Sequence, residues 1–386
     1  MNQKIYKKGY YYIKTFGCQM NVNDSEYIAG QLEDMGYQAT QELHYANIII
    51  LNTCCVRAKV EHKIYSMAGK VSQIIRKKPS VIFGICGCLA QKEKENLIHA
   101  IPRLDLIFGP SQASSIKDII VKSYIENNKK PLIHCNNRSR FKLNALPVKH
   151  YNPISAFVQI MKGCNNFCSY CIVPYTRGPE ESRKSIDILQ EIKQLVQNNY
   201  KEIFLLGQNV NSYQSHDQTN QKENFVHLLK KISHIPKLHR IRFTTSHPKD
   251  FLPDLINTIK NEDKICEHIH LPIQSGSDTI LKKMNRKYNM DQYLKIIDSI
   301  RKNIPESSIT TDVMVGFPGE TEKDFEHTLE AFKRIRFDSA FTFLYSNREH
   351  SLASYFEKQV PENIKKKRLW KLIELQKSIS LDINQK

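Results

Sequence analysis

Three cysteines stand four and three residues apart in Gly163-Cys164-Asn165-Asn166-Phe167-Cys168-Ser169-Tyr170-Cys171. On a helix they would share one face as three small buried hydrophobes. The Gly, Asn and Ser around them, with Pro174 just after, argue for a loop instead. Three thiolates converging in a loop suit an iron–sulfur cluster, yet a four-iron cluster takes four ligands. The missing ligand leaves one iron open to a reactant, as catalytic zinc sites also keep a position free.

A second set of thiols is dispersed. Gly17-Cys18, Thr53-Cys54-Cys55 and Cys86-Gly87-Cys88 each end a short apolar run that reads as a strand. In a parallel sheet such strand ends lie on one edge, where open α/β sheets bind ligands. Thiols separated by 36 and 34 residues would therefore converge. Cys55 and Cys86 are spare, each a further ligand or simply buried, and spacing does not choose between these. Cys135 and Cys266 stand alone and read as inert.

The elements that must position these groups fall into two α/β regions. In the first, over residues 10–127, strands are expected at Tyr11–Thr15, Asn47–Leu51, Val81–Ile85 and Asp105–Phe108. Helices are expected from Asn23 or Asp24 to Met35, over Val60–Arg76 and over Lys92–Ala100. Alternation with short links predicts a doubly wound parallel sheet. Residues 128–152, basic and with scattered proline, read as a linker. From 153 to 361 six strands are expected at Ala156–Ile160, Glu202–Leu206, Arg240–Thr244, His268–Leu271, Ser308–Val313 and Ser339–Leu344. Helices between them include Ser185–Asn198, Asp291–Lys302 and Glu320–Ile335. Six strand–helix units fall short of the eight of a closed barrel, which predicts an open, incomplete (β/α)6 barrel. A basic helix, Ile364–Leu381, closes the chain within 362–386.

The 386 residues exceed what one domain usually holds, and 40% hydrophobic content supports packed cores. No apolar run approaches the roughly 20 residues of a membrane span. The first dozen residues lack the apolar segment of a signal peptide, so a cytoplasmic protein without membrane attachment is expected. Ten cysteines in short motifs of a long chain do not resemble the frameworks of small exported domains, which favours metal ligation over disulfides. The 57 Lys and Arg exceed the 39 Asp and Glu by 18, a surplus suited to a polyanion such as nucleic acid, although a basic codon bias would produce the same count.

The loop from Cys164 to Cys171 resembles the CxxxCxxC signature of radical S-adenosylmethionine (SAM) enzymes. Thr15-Phe16-Gly17-Cys18-Gln19-Met20-Asn21, Asn52-Thr53-Cys54 and Gly87-Cys88 resemble the three amino-terminal motifs of methylthiotransferases. Three further runs fit the tRNA 2-methylthioadenosine synthases of MiaB type: Arg242-Phe243-Thr244-Thr245-Ser246-His247-Pro248, His270-Leu271-Pro272-Ile273-Gln274-Ser275-Gly276-Ser277 and Val315-Gly316-Phe317-Pro318-Gly319-Glu320-Thr321. The likeness runs from about residue 10 to about residue 380.

That resemblance implies two [4Fe-4S] clusters, one on Cys164, Cys168 and Cys171 and an auxiliary one on Cys18, Cys54 and Cys88, with Cys54 preferred to Cys55 and Cys88 to Cys86. It implies SAM as cofactor, held in part by Gln208 and Asn209 in Leu206-Gly207-Gln208-Asn209-Val210, a segment equally suited to an Asx-type turn. The implied substrate is the anticodon stem-loop of a tRNA carrying N6-isopentenyladenosine at position 37, converted to its 2-methylthio derivative. The C2–H bond of adenine is neither acidic nor nucleophilic, which is why a radical route suits it. An electron donor such as flavodoxin or ferredoxin and a monomeric state are also implied. Candidate phosphate contacts are Arg138, Arg140 and Lys142, then Lys282, Lys283, Arg286 and Lys287, then Lys365, Lys366, Lys367 and Arg368, each equally readable as a solvated face.

Two features depart from the family pattern. Its small RNA-binding β-barrel (TRAM) domain after the final helix is absent from this chain, and Ser346-Asn347-Arg348-Glu349-His350-Ser351-Leu352-Ala353 lacks the usual Gly-Thr. Relatives acting on threonylcarbamoyl-adenosine of tRNA or on a ribosomal-protein aspartate are the nearest alternatives. A non-catalytic metal-binding, RNA-associated protein is the alternative of another class.

Overall fold

The computed structural model describes residues 9–55, 58–101, 103–126, 131–136, 147–217 and 220–385. The chain forms two units. The first holds the described residues up to 153 together with 175–179; the second holds 154–174 and those from 180 onward.

In the first unit the chain runs β1 (Tyr10–Thr15), α1 (Gln19–Asp34), β2 (Gln38–Ala39), β3 (Ile48–Thr53), α2 (Ala58–Lys77), β4 (Ile82–Gly87), α3 (Cys88–Glu93), α4 (Asn96–Ala100), β5 (Leu106–Phe108), α5 (Ile116–Glu126) and β6 (Leu132–His134). All six strands are parallel, in the order β2-β1-β3-β4-β5-β6. Strand β3 is buried at every position because helices cover both faces of the sheet. Ile48 and Ile50 pack with Ile28 and Leu32 of α1, whereas Ile49 and Leu51 pack with Ala68 and Val71 of α2. The strand order reverses between β1 and β3, and at such a switch point the crevice beyond the carboxyl ends is the usual ligand site.

Three local readings need correcting. Helix α1 starts at Gln19, not at Asn23 or Asp24, and Cys18 is its N-cap. Asp24 therefore lies inside the helix, where Arg177 neutralises it. The helix expected over Lys92–Ala100 is two short helices, α3 and α4, the first beginning at Cys88. The stretch read as linker contributes β6, because Leu132, Ile133 and His134 pair with Leu106, Ile107 and Phe108.

The second unit begins with β7 (Ser155–Gln159), β8 (Met161–Lys162), α6 (Val173–Thr176, whose end belongs to the first unit), β9 (Glu181–Ser182), α7 (Ser185–Gln197) and β10 (Glu202–Leu206). It continues with β11 (Gln214–His216), β12 (Lys222–Asn224), α8 (Phe225–Ser233), β13 (Arg240–Phe243), α9 (Pro253–Asn261), β14 (His268–His270), α10 (Asp278–Lys283) and α11 (Met290–Asn303). Then come β15 (Ser308–Val315), α12 (Glu322–Ile335), β16 (Ser339–Leu344) and α13 (Glu362–Asn384). Strands β7, β10 and β13 form one parallel sheet and β14, β15 and β16 another. An Ile241–Ile265 bridge beside the β13–β14 junction joins the two arcs into the expected open barrel of six parallel strands.

Alternation along β15 shows how the barrel is built. Ile309, Thr311, Val313 and Val315 are buried towards the helices, while Ser308, Thr310, Asp312 and Met314 stay half-buried on the lumen side. Asn224, Asn289 and Thr321 each close a capping box at the start of α8, α11 and α12. These caps fix where each helix returns, and hence where the preceding strand delivers its carboxyl end. No helix among the described residues is long and apolar enough to cross a membrane.

Candidate cluster and SAM sites

Register puts the first unit's cysteines on one edge. Thr15 pairs with Asn52 and Thr53 with Gly87, so Cys18, Cys54 and Cys88 lie just past the ends of three neighbouring strands. Two of these turns need glycine: Gly17 has φ +127° and Gly87 φ +92°, and a Cβ on Gly87 would lie 2.3 Å from the Thr53 carbonyl oxygen. A buried amide network holds the edge. Asn21 Nδ2 donates to Asn52 Oδ1 and to the Thr53 carbonyl, both at 3.1 Å, and Asn52 Nδ2 donates to the Asn21 carbonyl at 2.7 Å.

The thiols themselves face protein partners. Cys18 Sγ donates to Asn21 Oδ1 at 3.3 Å, and Cys88 is hydrogen-bonded to Cys55. That bond, with Arg177 close by, brings the Cys88 thiol down to about 6 despite burial. Cys54 backs onto the Gly17 turn. Cys86 packs with Phe108 and Ile82 in the core, and burial pushes its thiol well up, so it reads as structural. Among the described residues no three donor side chains are already closed into a metal cage. What the fold supplies is the shared edge and a buried cation, Arg177, 2.8 Å from Asp24 and electrostatically close to Cys88 and Cys18.

The second unit carries the other triplet in the loop after β7 and β8. Cys164 and Cys168 are buried, and Cys171, pushed up to about 12 by burial and then by Cys168 and Cys164, feels both neighbours. Ser169 pins the loop: its N–H donates to the Met284 carbonyl at 3.0 Å and its hydroxyl to the Lys283 carbonyl at 2.8 Å. The Ser169 carbonyl in turn accepts from Ala353 N–H at 2.7 Å, so the segment after β16 that departs from the family pattern braces this loop. Asn285 Nδ2 donates to the Phe167 carbonyl at 2.9 Å, and Arg286 Nη1 to Cys168 Sγ at 3.4 Å.

Beyond β10 and β13 lies a set of buried polar atoms without partners: Gln208 Oε1, both amide atoms of Asn211, Ser246 Oγ and His247 Nε2. Leaving such groups unsatisfied costs about 1–3 kcal/mol each, so their convergence marks a place for a polar ligand. Thr245 at φ +72° adds backbone strain just past β13, and Gln274 at φ +63° does so past β14. His247 Nδ1 accepts from Lys249 N–H, which leaves the proton on Nε2 when the ring is neutral. Burial, Arg286 and Lys249 hold it neutral, down to about 2. Asn209 is different: its Oδ1 accepts from His247 N–H at 3.1 Å and its Nδ2 donates to Asp250 at 2.7 Å. Both ends of that amide tie the two loops together, so Asn209 braces the site where Gln208 keeps a free acceptor.

The basic clusters divide under burial. Arg138, Arg140 and Lys142 lie outside the described residues. Arg286 is no phosphate contact, because it is committed to Cys168 and Tyr288. Lys365 and Arg368 are buried, the first bonded to the Tyr345 carbonyl and the second to Glu320 and Glu322. Lys366 and Lys367 remain exposed on α13. Sequence reasoning missed Ser169, Asn285 and His247 as individual site residues. For His247 the run Thr245-Ser246-His247-Pro248 was a signal; for the other two only the loop contacts reveal the role.

Residues 158–332 match the radical SAM superfamily and residues 10–109 an uncharacterized protein family, UPF0004. The tRNA-2-methylthio-N(6)-dimethylallyladenosine synthase of Thermoanaerobacter pseudethanolicus is 46% identical over 97% of this chain and 79% of its own length. The synthase of the same name from Carboxydothermus hydrogenoformans is 47% identical over 97% and 84%. Among solved structures, the radical SAM methyltransferase TsrM from Kitasatospora setae superposes with a TM-score of 0.64 at 10% identity, covering 90% of this chain and 75% of that one. The cobalamin-dependent SAM radical enzyme OxsB gives 0.58 at 10% identity, covering 96% and 56%. These two share the fold. Radical SAM membership brings a [4Fe-4S] cluster and SAM with it. On the identity to the synthases, over nearly its whole length, the chain belongs to the tRNA-2-methylthio-N(6)-dimethylallyladenosine synthase family of radical SAM methylthiotransferases.

Proposed function

We propose that this chain converts N6-isopentenyladenosine at position 37 of tRNA to its 2-methylthio derivative, using one cluster on Cys164, Cys168 and Cys171 and a second on Cys18, Cys54 and Cys88. The observation that carries the reading is the pairing of a three-thiol loop, pinned at Ser169 and Arg286, with unsatisfied polar atoms at the ends of β10 and β13. Three cysteines leave one iron open for a ligand, and Gln208, Ser246 and His247 have the capacity to hold a polar cofactor beside it. When bound, the first cluster and SAM supply a carbon-centred radical able to act on an unactivated C–H bond, and the second cluster carries the sulfur.

The chain's own residues do the positioning. Asn209 locks the two loops that present Gln208 and His247, so the acceptor and the donor are fixed before ligand arrives. His247, neutral at physiological pH, offers an N–H without adding a second positive charge beside a sulfonium. Burial of Cys54, Cys88, Cys164 and Cys168 limits the access of water to those thiols. The electron enters from a donor such as flavodoxin or ferredoxin, the protein acts as a monomer in the cytoplasm, and exposed Lys366 and Lys367 supply phosphate contacts to the tRNA.

Mass spectrometry of tRNA nucleosides from cells with and without this protein tests the assignment. The methylthio-isopentenyl nucleoside should disappear on deletion and return with the gene. Persistence in a strain with no second synthase refutes the substrate. Loss of methylthio-threonylcarbamoyl-adenosine instead would transfer the chain to its nearest relatives.

A further inference from the structure

Each thiol triplet has an arginine beside it, Arg177 buried and Arg286 half-buried, and the two keep different company. In the second unit Arg286 Nη1 donates to Cys168 Sγ at 3.4 Å. Its remaining contacts are neutral: Nη2 reaches the Pro272 carbonyl at 3.4 Å, Nε reaches Tyr288 Oη at 3.3 Å, and the Tyr288 ring lies 5.2 Å away. None of these hydrogen-bond partners is a carboxylate. In the first unit Arg177 hydrogen-bonds Cys88 and lies near Cys18, but its Nη2 is 2.8 Å from Asp24 Oδ2, with both side chains 7% exposed.

That difference has an electrostatic consequence. Reducing a four-iron cluster adds one negative charge and takes up no proton. A fixed, unpaired cation and an N–H···S bond both stabilise the reduced form, and burial strengthens the effect. An arginine–aspartate pair carries no net charge, so the aspartate offsets part of the arginine's field at the sulfur.

We propose that Arg286 and the Arg177–Asp24 pair set the order in which the two clusters take an electron. The cluster on Cys164, Cys168 and Cys171 accepts it first, and the cluster on Cys18, Cys54 and Cys88 stays oxidised. The inference rests on the proposed function's assignment of a cluster to each triplet. One electron passes from a low-potential one-electron donor to the first cluster; no bond forms or breaks in that step. The arrangement delivers the electron to the centre that must cleave SAM and withholds it from the centre that carries sulfur. Arg286 is thus a positioning residue for charge, acting through Cys168.

Anaerobic potentiometric titration of the full chain, reconstituted with iron and sulfide and reduced with dithionite, tests this by electron paramagnetic resonance with and without SAM. SAM perturbs only the cluster that it ligates, which separates the two signals. In the wild type the SAM-sensitive signal should appear at the higher potential. Arg286→Gln should lower its midpoint and leave the other signal in place, whereas Asp24→Asn should raise the midpoint of the SAM-insensitive signal. An unmoved SAM-sensitive midpoint in Arg286→Gln at wild-type iron content overturns the proposal, as does a wild type that reduces the SAM-insensitive cluster first. Should Arg286→Gln fail to hold iron, Arg286→Lys keeps the charge but loses the planar fork; its midpoint should fall below wild type, and no fall overturns the proposal equally. A wild type with no SAM-sensitive signal refutes the cluster assignment rather than the ordering.

Discussion

A methyl group on Gly17 would stand 2.6 Å from Cβ of Cys54, although the two residues follow different strands, β1 and β3. Gly17 also sits at φ +127°, where a side chain is strained whatever the space. Gly17→Ala should therefore cost about 1–3 kcal/mol of stability in urea unfolding. It should also push Cys54 out of line, so that iron is lost from the first unit while the SAM-sensitive cluster persists. Wild-type iron content in this variant would show that Cys54 takes no part.

Cys54 and Cys55 are adjacent, and Cys55 hydrogen-bonds Cys88. With iron bound we expect Cys54 as the ligand. Cys54→Ala should retain roughly half of the iron and still cleave SAM, but transfer no methylthio group. Cys55→Ala should keep full iron and transfer. The reverse pattern would reassign the ligand to Cys55.

Cys168→Ala should abolish SAM cleavage, since the loop supplies only three thiolates and Arg286 loses its sulfur partner as well. Formation of 5′-deoxyadenosine under dithionite, measured by chromatography, checks this. Detectable cleavage at wild-type rate would remove the loop from the chemistry.

Gln208 and Asn209 should separate. Gln208→Ala removes one acceptor and should weaken SAM binding about tenfold, the equivalent of one hydrogen bond, with the melting temperature unchanged. Asn209→Ala breaks the ties to His247 and Asp250, so it should lower both affinity and stability. Equilibrium dialysis and thermal unfolding distinguish the two.

His247 makes stability depend on pH with a definite sign. Its folded value is depressed to about 2 from an ordinary value of 6.5, chiefly by burial. Below pH 6.5 the unfolded chain takes up a proton that the folded chain refuses, so this contribution is complete above that pH and declines as pH falls towards 2. Between pH 7.5 and 5.5 the wild type should lose about 1 kcal/mol more than His247→Gln, once the other histidines cancel in the difference. Equal slopes in urea unfolding would place the ring in water.

Much of the frame was legible in the chain. Alternating apolar runs and amphipathic stretches predicted both α/β regions, since the burial period of a strand and of a helix is written in residue order. The cysteine loop was legible because its three thiols are local. Strand β6 was missed because three residues in a basic, proline-bearing stretch carry too little pattern; pairing with β5 makes them a strand. The start of α1 was missed because capping propensity pointed to Asn23 and Asp24, whereas Cys18 closes the turn once β1 is docked.

Residue types and spacing alone determined one local triplet of cysteines and a dispersed set at strand ends, on two α/β frames. Only the tertiary structure decided which charges those cysteines meet. Arg286 read as a surface cation until the fold set its guanidinium on Cys168, and Asp24 read as a helix cap until Arg177, 153 residues away, neutralised it. Such contacts join side chains far apart in sequence through a low-dielectric interior, and their energy depends on distance and burial, which residue order does not encode.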